Sequence, residues 1–494
     1  MENIFIESSE TFEKVKLKMV DFEKVSKYID AHIKEHIKRL REFLRQPSVS
    51  AENYGVVECA ELLKSYLDEL ECKNARLIET KSFPVVYGEY DANAEKTLLV
   101  YMMYDTQPFT SEKWSSPPLE ARLVDIEPFG KCVIARGAIN TKGPLIAFLN
   151  ALQSILAVGE EIPVNLKFVA QGDEELGSTA FAEFVKSHKE MLKADAVFGP
   201  DACQDEKGKV IMGLGYKGIE YVELECSGKL WGRGPQEFDI HSSDKSWVDS
   251  PVWRMIHALA TMTAKDGNKI LIEDWYENVK PPTEEDLELI DKLAKTFDEE
   301  AIKHEMRVEK FINDLHGKEL LLQYLYSTIL NIDGIYAGYI GPGSKTVLPH
   351  KIIVKMDARL VPDQKSEEVM RKIRRHLDKH GYTDITVRSL DPYEWAKTSV
   401  KEPIVQATIQ AYRKLGYEPE IWPMTASSVP YYLFNRGPLY LPFIDAGLGH
   451  GGRAHSPDEY FVIEGKQKVQ GLAGCEKSYV VILDTYAKYP KTME

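Results

Sequence analysis

Cysteine is scarce: Cys59, Cys72, Cys132, Cys203, Cys226 and Cys475 are scattered over 494 residues with no CxxC spacing. This excludes a disulfide framework and a thiolate zinc knuckle, and the thiols read as small core residues, with Cys203 the one to watch because it follows Asp201 closely. Long apolar runs are also missing. The best, TLLVYMMY, is far short of the ~20 residues a membrane helix requires, so no membrane span is expected. The opening MENIFIESSETFEKVKLKMV is charged throughout and has no apolar core before a cleavage site, which argues against a secretory signal and for a cytoplasmic protein. Positive charge is in deficit: 62 Lys+Arg against 77 Asp+Glu leave a net of −15, which excludes a nucleic-acid backbone as partner. Repeats, low-complexity tracts and a GxxxxGK[ST] phosphate loop are absent as well.

A 44% hydrophobic content over this length can fill two cores. Helical spacing opens the chain in IDAHIKEHIKRLREFLRQ and VVECAELLKSYLDEL. Short apolar runs then alternate with helices: FPVVYGEY, KTLLVYMMY, NLKFVAQ and DAVFGP read as buried strands, and PLIAFLNALQSIL as a helix. That alternation predicts an α/β domain with a mixed sheet. From Gly213 the pattern changes to a strand at YVELECSG, a helix at SPVWRMIHALATM, a charged helical stretch from Thr283 to Leu325, strands at HKIIVKMDARL and DITVRSL, and a helix at SEEVMRKIRRHLDKHG. These predict a smaller α+β sandwich, inserted as residues 213–391 into a larger domain built from 1–212 and 392–494. A cleft would lie between them.

Chemistry-bearing residues recur where strands end. Asp105 follows VYMMY. ARGAINTKGPL is a glycine-containing loop with basic residues that leads into a helix whose free N–H groups could receive an anion. FVAQGDEELGS places three acids after a strand, and adjacent carboxylates are tolerated when solvated or bound to a cation, as a metal ligand beside a general base would be. Asp201 follows DAVFGP, and GLGHGGRAHSPDEYF holds His450 and His455 in a glycine-rich turn. Carboxylate and imidazole are usual catalytic zinc ligands, and recurrence after successive strands suggests convergence at one sheet edge.

In this order, and with PSVSA, PVVYGE, DIHSS, KTVLP, ARLVPDQKSEEV and AHSPDE, the segments resemble the zinc-dependent dipeptidase and amino-acid deacylase family that includes carnosinase and succinyl-diaminopimelate desuccinylase. The similarity runs from Ile29 almost to the C-terminus. It implies a catalytic α/β domain, an inserted lid and dimerisation sandwich, a homodimer, and two zinc ions joined by an aspartate and a water. By this resemblance Glu174 matches the general base, Glu175 and His455 ligands of one zinc, and Asp201 a ligand of the other. Asp105 matches the aspartate that orients a metal-bound histidine, His241 a histidine that reaches across the dimer to the tetrahedral intermediate, and Arg359 a lid arginine for the substrate carboxylate. Ser428 in PMTASSVPYY keeps a pocket hydroxyl, while its neighbours differ from the family, as do Gln171 and Asp173.

Two positions depart at the metal itself. Met103 stands where the family has the histidine ligand, and Asn140 where it has the bridging aspartate. A thioether and a neutral amide are poorer donors than the imidazole and carboxylate they replace, so the second ion should be weak or absent. Asn140 then becomes a possible third donor beside Glu175 and His455, giving one zinc per chain or none. His450 reads as a surface residue of its turn. The expected function is a metal-dependent amidohydrolase, a dipeptidase or carboxypeptidase-like deacylase, acting on a dipeptide or N-acyl amino acid. The alternative is a non-catalytic or metal-independent relative that binds an amino acid, peptide or partner in the same cleft.

Overall fold

The computed structural model describes residues 20–491, so the charged opening segment and the reading that it is no secretory signal lie outside the described residues. Two helices, Phe22–Arg45 and Val56–Glu69, open the fold. A six-stranded mixed sheet follows, in the order Lys73–Ile78, Val85–Tyr90, Asn165–Gln171, Thr97–Met103, Ala196–Pro200 and Phe443–Ala446. The first two strands pair antiparallel, and the four from Asn165–Gln171 onward run parallel. Parallel pairing puts the carboxyl ends of those four strands on one edge, and these ends carry Asp105, Glu174, Asp201 and the loop to His455.

The helix Lys142–Ala157 is apolar on nearly every side, as a helix enclosed between a sheet and other helices must be. It packs against Phe22–Arg45 and against Leu472–Lys488, a C-terminal helix. Phe148 at its centre packs at a tilt against Phe198 of the sheet and meets Tyr479 edge-on, with ring centroids 5.4 and 5.3 Å away.

A second, antiparallel sheet has the order Ile329–Ala337, Lys351–Leu360, Gly218–Ser227 and Thr386–Tyr393. The helices Pro251–Met262 and Ser366–Lys379 cover one face, over a core that includes Val222, Leu224, Met255, Val354 and Ile373. The charged stretch expected in this sandwich lies elsewhere. Its helices Glu284–Leu293 and Gly317–Tyr326 form a core of Ile290, Leu293, Leu321 and Leu325 against Met424 and Trp422. Two helices already fill the covered face of the sheet, which leaves these two amphipathic ones to bury their apolar stripe against the segment that follows the sandwich. Among the described residues no helix is long and apolar enough to cross a membrane.

Phe148→Ala removes the ring that joins three layers, and we expect a loss of about 3–5 kcal/mol in a urea or guanidinium melt. A change under ~1 kcal/mol would mean the layers collapse onto the gap.

Candidate active site

The strand Asn165–Gln171 turns sharply at Gly172, where a Cβ would stand 2.4 Å from the Tyr104 ring, so only glycine fits. The turn delivers Glu174 and Glu175 above the next strand. Asp105, 2% exposed, anchors them from beneath. Its two carboxylate oxygens accept the backbone N–H groups of Glu174 (3.2 Å) and Glu175 (3.0 Å). Burial, then the charge of Glu175, pushes the Asp105 carboxyl up to about 7 against the opposing pull of those N–H groups. Met103, in place of the expected histidine, leaves Asp105 no imidazole to orient; its work here is to hold the turn.

The two glutamates meet different surroundings. The Glu174 carboxyl is pushed well above the ordinary range by burial first, then by Glu175 and Asp105. Its nearest side-chain donor is the hydroxyl of Tyr393, 3.4 Å from Oε1. The Glu175 side chain accepts from Gln107 Nε2 at 2.7 Å and from Asn140 Nδ2 at 3.1 Å, and lies 3.2 Å from His455 Nε2. Asn140 Nδ2 is 2.8 Å from the same imidazole nitrogen. Glu175, Asn140 and His455 thus converge as their sequence positions imply, and Glu175 raises the affinity of His455 for a proton.

The loop that carries Asn140 is held by a buried ion pair. Glu459 accepts the N–H groups of Ile139 and Asn140, each at 3.0 Å, and takes Arg136 Nη1 at 3.0 Å. Lys142 turns inward to the Gln46 carbonyl and Ser48. The basic residues of ARGAINTKG are therefore engaged within the fold, and the anion-binding reading of this loop is not supported.

Beside this cluster lies a cavity of about 260 Å³ whose walls include Met103, Asn140, Asp201, Tyr216, Tyr431 and Asp445. Asp201 Oδ1 accepts its neighbour Ala202 N–H at 2.7 Å, and burial raises its carboxyl. Asp445 accepts the hydroxyls of both Tyr216 and Tyr431; burial, then the charge of Asp201, brings its carboxyl to about 7.

The donor sets decide which ion positions are plausible. At the Asp201 position one carboxylate, a thioether and a neutral amide do not fit a divalent ion. At the other, Glu175 and an unprotonated His455 Nε2 are two acceptors 3.2 Å apart, an arrangement relieved by a proton or by a cation between them. With the Asn140 amide turned so that its oxygen faces them, two side chains and that oxygen supply three ligands and leave room for water, which fits one ion. Among the described residues no group of three or more His, Cys, Asp or Glu side chains forms a metal site, so the amide is needed.

Arg359 and Ser428 come together from different parts of the chain: Nη1 donates to Ser428 Oγ at 2.9 Å while Nε donates to Asp357 at 2.8 Å. His241 is exposed and bonds with Ser243 (2.7 Å) and Thr346 (3.1 Å), not with the Glu174 cluster of its own chain. His450 is not on the surface. It is 9% exposed, bonded to the Gln204 carbonyl and the Tyr460 hydroxyl, because the glycine-rich turn folds over it. Burial pushes the Cys203 thiol far up, which leaves it an inert core thiol rather than a nucleophile. Gln107, Glu459, Asp445 and Tyr393 escaped the sequence reading. Only Gln107, two residues beyond Asp105, and Glu459, in AHSPDE, lay inside a motif.

The model of Peptidase family M20/M25/M40 matches residues 99–471. Beta-Ala-His dipeptidase of Homo sapiens is 30% identical over 378 residues, 72% of this chain and 71% of that protein. Cys-Gly metallodipeptidase dug1 of Schizosaccharomyces pombe is 28% identical over 377 residues, 73% of this chain and 76% of that one. Among solved structures, the M20 family metallo-carboxypeptidase Sso-CP2 from Sulfolobus solfataricus superposes with a TM-score of 0.83 at 33% identity, covering 92% of this chain and 99% of its own. The family match takes in Asp105, Asn140, Glu174, Glu175, Asp201 and His455, and the chain belongs to peptidase family M20/M25/M40.

Proposed function

We propose that this peptidase is a metal-dependent hydrolase of a dipeptide or an N-acyl amino acid, with one zinc ion held by Glu175, His455 and the Asn140 amide oxygen, and Glu174 as general base. The observation that carries the reading is the difference between adjacent glutamates: one carboxyl has a tyrosine hydroxyl as its side-chain partner and is raised in proton affinity, the other faces an imidazole. A zinc ion at that position supplies Lewis acidity to a carbonyl and acidifies a water. Glu174 takes the proton of the attacking water and returns it to the leaving nitrogen. Arg359, preset by Asp357 and Ser428, pairs with the substrate carboxylate.

His241 serves the cleft of a second copy in this reading, stabilising the oxyanion across a homodimer. Support for a dimer comes from the edge strand Ile329–Ala337, whose Ile332, Ile335 and Tyr336 stand exposed. Six free cysteines suit a reducing cytoplasm.

The competing reading, a metal-free binding protein, draws on one contact: the Asn140 amide N–H groups face both Glu175 and His455 where a cation would otherwise sit.

Elemental analysis separates the two. Protein purified without a metal-affinity tag, loaded with zinc and dialysed, is expected to keep about one ion per chain, to lose it in His455→Ala, and to hold about two in Met103→His/Asn140→Asp. No retained zinc in the wild type favours the binding protein. Glu174→Gln should lower kcat on a dipeptide panel by about 10²–10⁴ with zinc content unchanged; loss of zinc would make Glu174 a ligand instead. Arg359→Ala should raise KM by roughly 10- to 100-fold for substrates with a free carboxylate and spare their amides, as the loss of a charge-assisted pair requires. Equal effects on both would remove Arg359 from carboxylate recognition.

A further inference from the structure

The chain crosses between its two sheets twice, and the crossings lie side by side. On the way out, Gly215 and Tyr216 pair with Lys397 and Ala396, and Ile219 pairs with Tyr393, the last residue of the strand Thr386–Tyr393. These paired segments form the two-stranded connection between the larger and the smaller sheet. Tyr393 therefore belongs to the four-stranded sheet, yet its hydroxyl reaches the turn of the other sheet. It lies 3.1 Å from the Glu174 carbonyl oxygen, 3.4 Å from Glu174 Oε1 and 3.0 Å from Ser178 Oγ.

A second contact ties the same strand to the same turn. Gly177, at φ +85°, has Asp391 so close that an added Cβ would stand 2.4 Å from the Asp391 Cβ. Residues 391 and 393 thus grip both ends of the 174–178 turn. A phenol has one proton to donate, and the Ser178 hydroxyl can donate into its lone pair. The Tyr393 proton serves either the Glu174 carbonyl or its carboxylate, and an ionised carboxylate is the stronger acceptor. Tyr393 is 6% exposed and its ring packs at a tilt against Tyr432, with centroids 6.0 Å apart, which holds the hydroxyl away from solvent.

We propose that Tyr393 is a positioning residue that holds the Glu174 carboxylate and ties it to the last strand of the four-stranded sheet, so that the alignment of the base depends on the contact between the two sheets. The proposal rests on Glu174 acting as the general base. Misplacement of a reacting group by a fraction of an ångström to one ångström is enough to cost orders of magnitude in rate.

Tyr393→Phe keeps the ring and removes only the hydroxyl. On the full-length protein, hydrogen exchange at the amides of 174–178 should accelerate by about tenfold while the thermal midpoint moves by less than ~2 °C. On a dipeptide that the wild type cleaves, kcat should fall by about tenfold or more at unchanged KM. Ser178→Ala, which leaves the Tyr393 hydroxyl in place, should lower kcat less than Tyr393→Phe. Unchanged exchange in the turn overturns the proposal whatever the activity, because the hydroxyl then holds nothing. Unchanged kcat in Tyr393→Phe, or a joint change of kcat and KM with a fallen midpoint, overturns it alone and leaves the hydrolase reading standing. A wild type that cleaves no member of the panel removes the base and the proposal together, and is seen before any variant is made.

Discussion

Asp105, Glu174 and Glu175 bring three carboxyl groups to the ends of two neighbouring parallel strands, and much of the cleft is organised around holding them there. Like charges in a poorly solvated volume repel strongly unless each is met by donors or protonated. Asp105 is met by two consecutive backbone N–H groups, Glu175 by Gln107, Asn140 and His455, and Glu174 by Tyr393. Each donor comes from a different element, so the turn at Gly172, the Glu459-held loop and the last strand of the smaller sheet must all be in place together. Burial first, and the neighbouring carboxylates after it, raise the proton affinities of Asp105 and Glu174 in spite of those donors.

Asn140 brings a neutral amide, not a charge, to that balance. An aspartate would add a fourth negative charge to the cluster and demand cations; the amide adds donors instead and satisfies Glu175 and His455 directly. The neighbouring cavity has moved further from ion binding. Asp201 faces Met103 rather than an imidazole, and Asp445 is satisfied by two tyrosine hydroxyls. Membership of the M20/M25/M40 family and the likeness to characterised dipeptidases extend over the whole cleft, while the side chains at these positions describe a site with less charge to hold and fewer ligands to hold it.

The buried pair of Arg136 and Glu459 shows how the loop keeps its shape without an ion. Glu459 spends one oxygen on two backbone N–H groups and the other on the guanidinium, so Asn140 is presented at a fixed place whether or not a cation lies beyond it. Burying such a pair is costly unless its polar atoms are met; the loop's amides meet the carboxylate, and the Ser456 and Pro108 carbonyls and Glu112 meet Nη1 and Nη2 of the guanidinium, leaving only Nε without a partner.

Local pattern alone indicated the buried strands and the enclosed helix, because continuous apolar runs such as TLLVYMM suit a strand covered on both faces. It also determined that Asp105, Glu174, Glu175, Asp201 and His455 follow strand ends, and parallel pairing then leaves them one edge on which to meet. The half-exposed edge strands Lys73–Ile78 and Ile329–Ala337 escaped it, since neither has a clean apolar alternation. What only the tertiary structure decided were contacts between elements distant in sequence: Tyr393 on Glu174, Glu459 under Asn140, Asp445 beside Asp201, and the helices Glu284–Leu293 and Gly317–Tyr326 laid against Trp422 and Met424 rather than on the smaller sheet. A side chain's periodicity reports which way it faces along its own element, and carries nothing about which distant element will supply its partner.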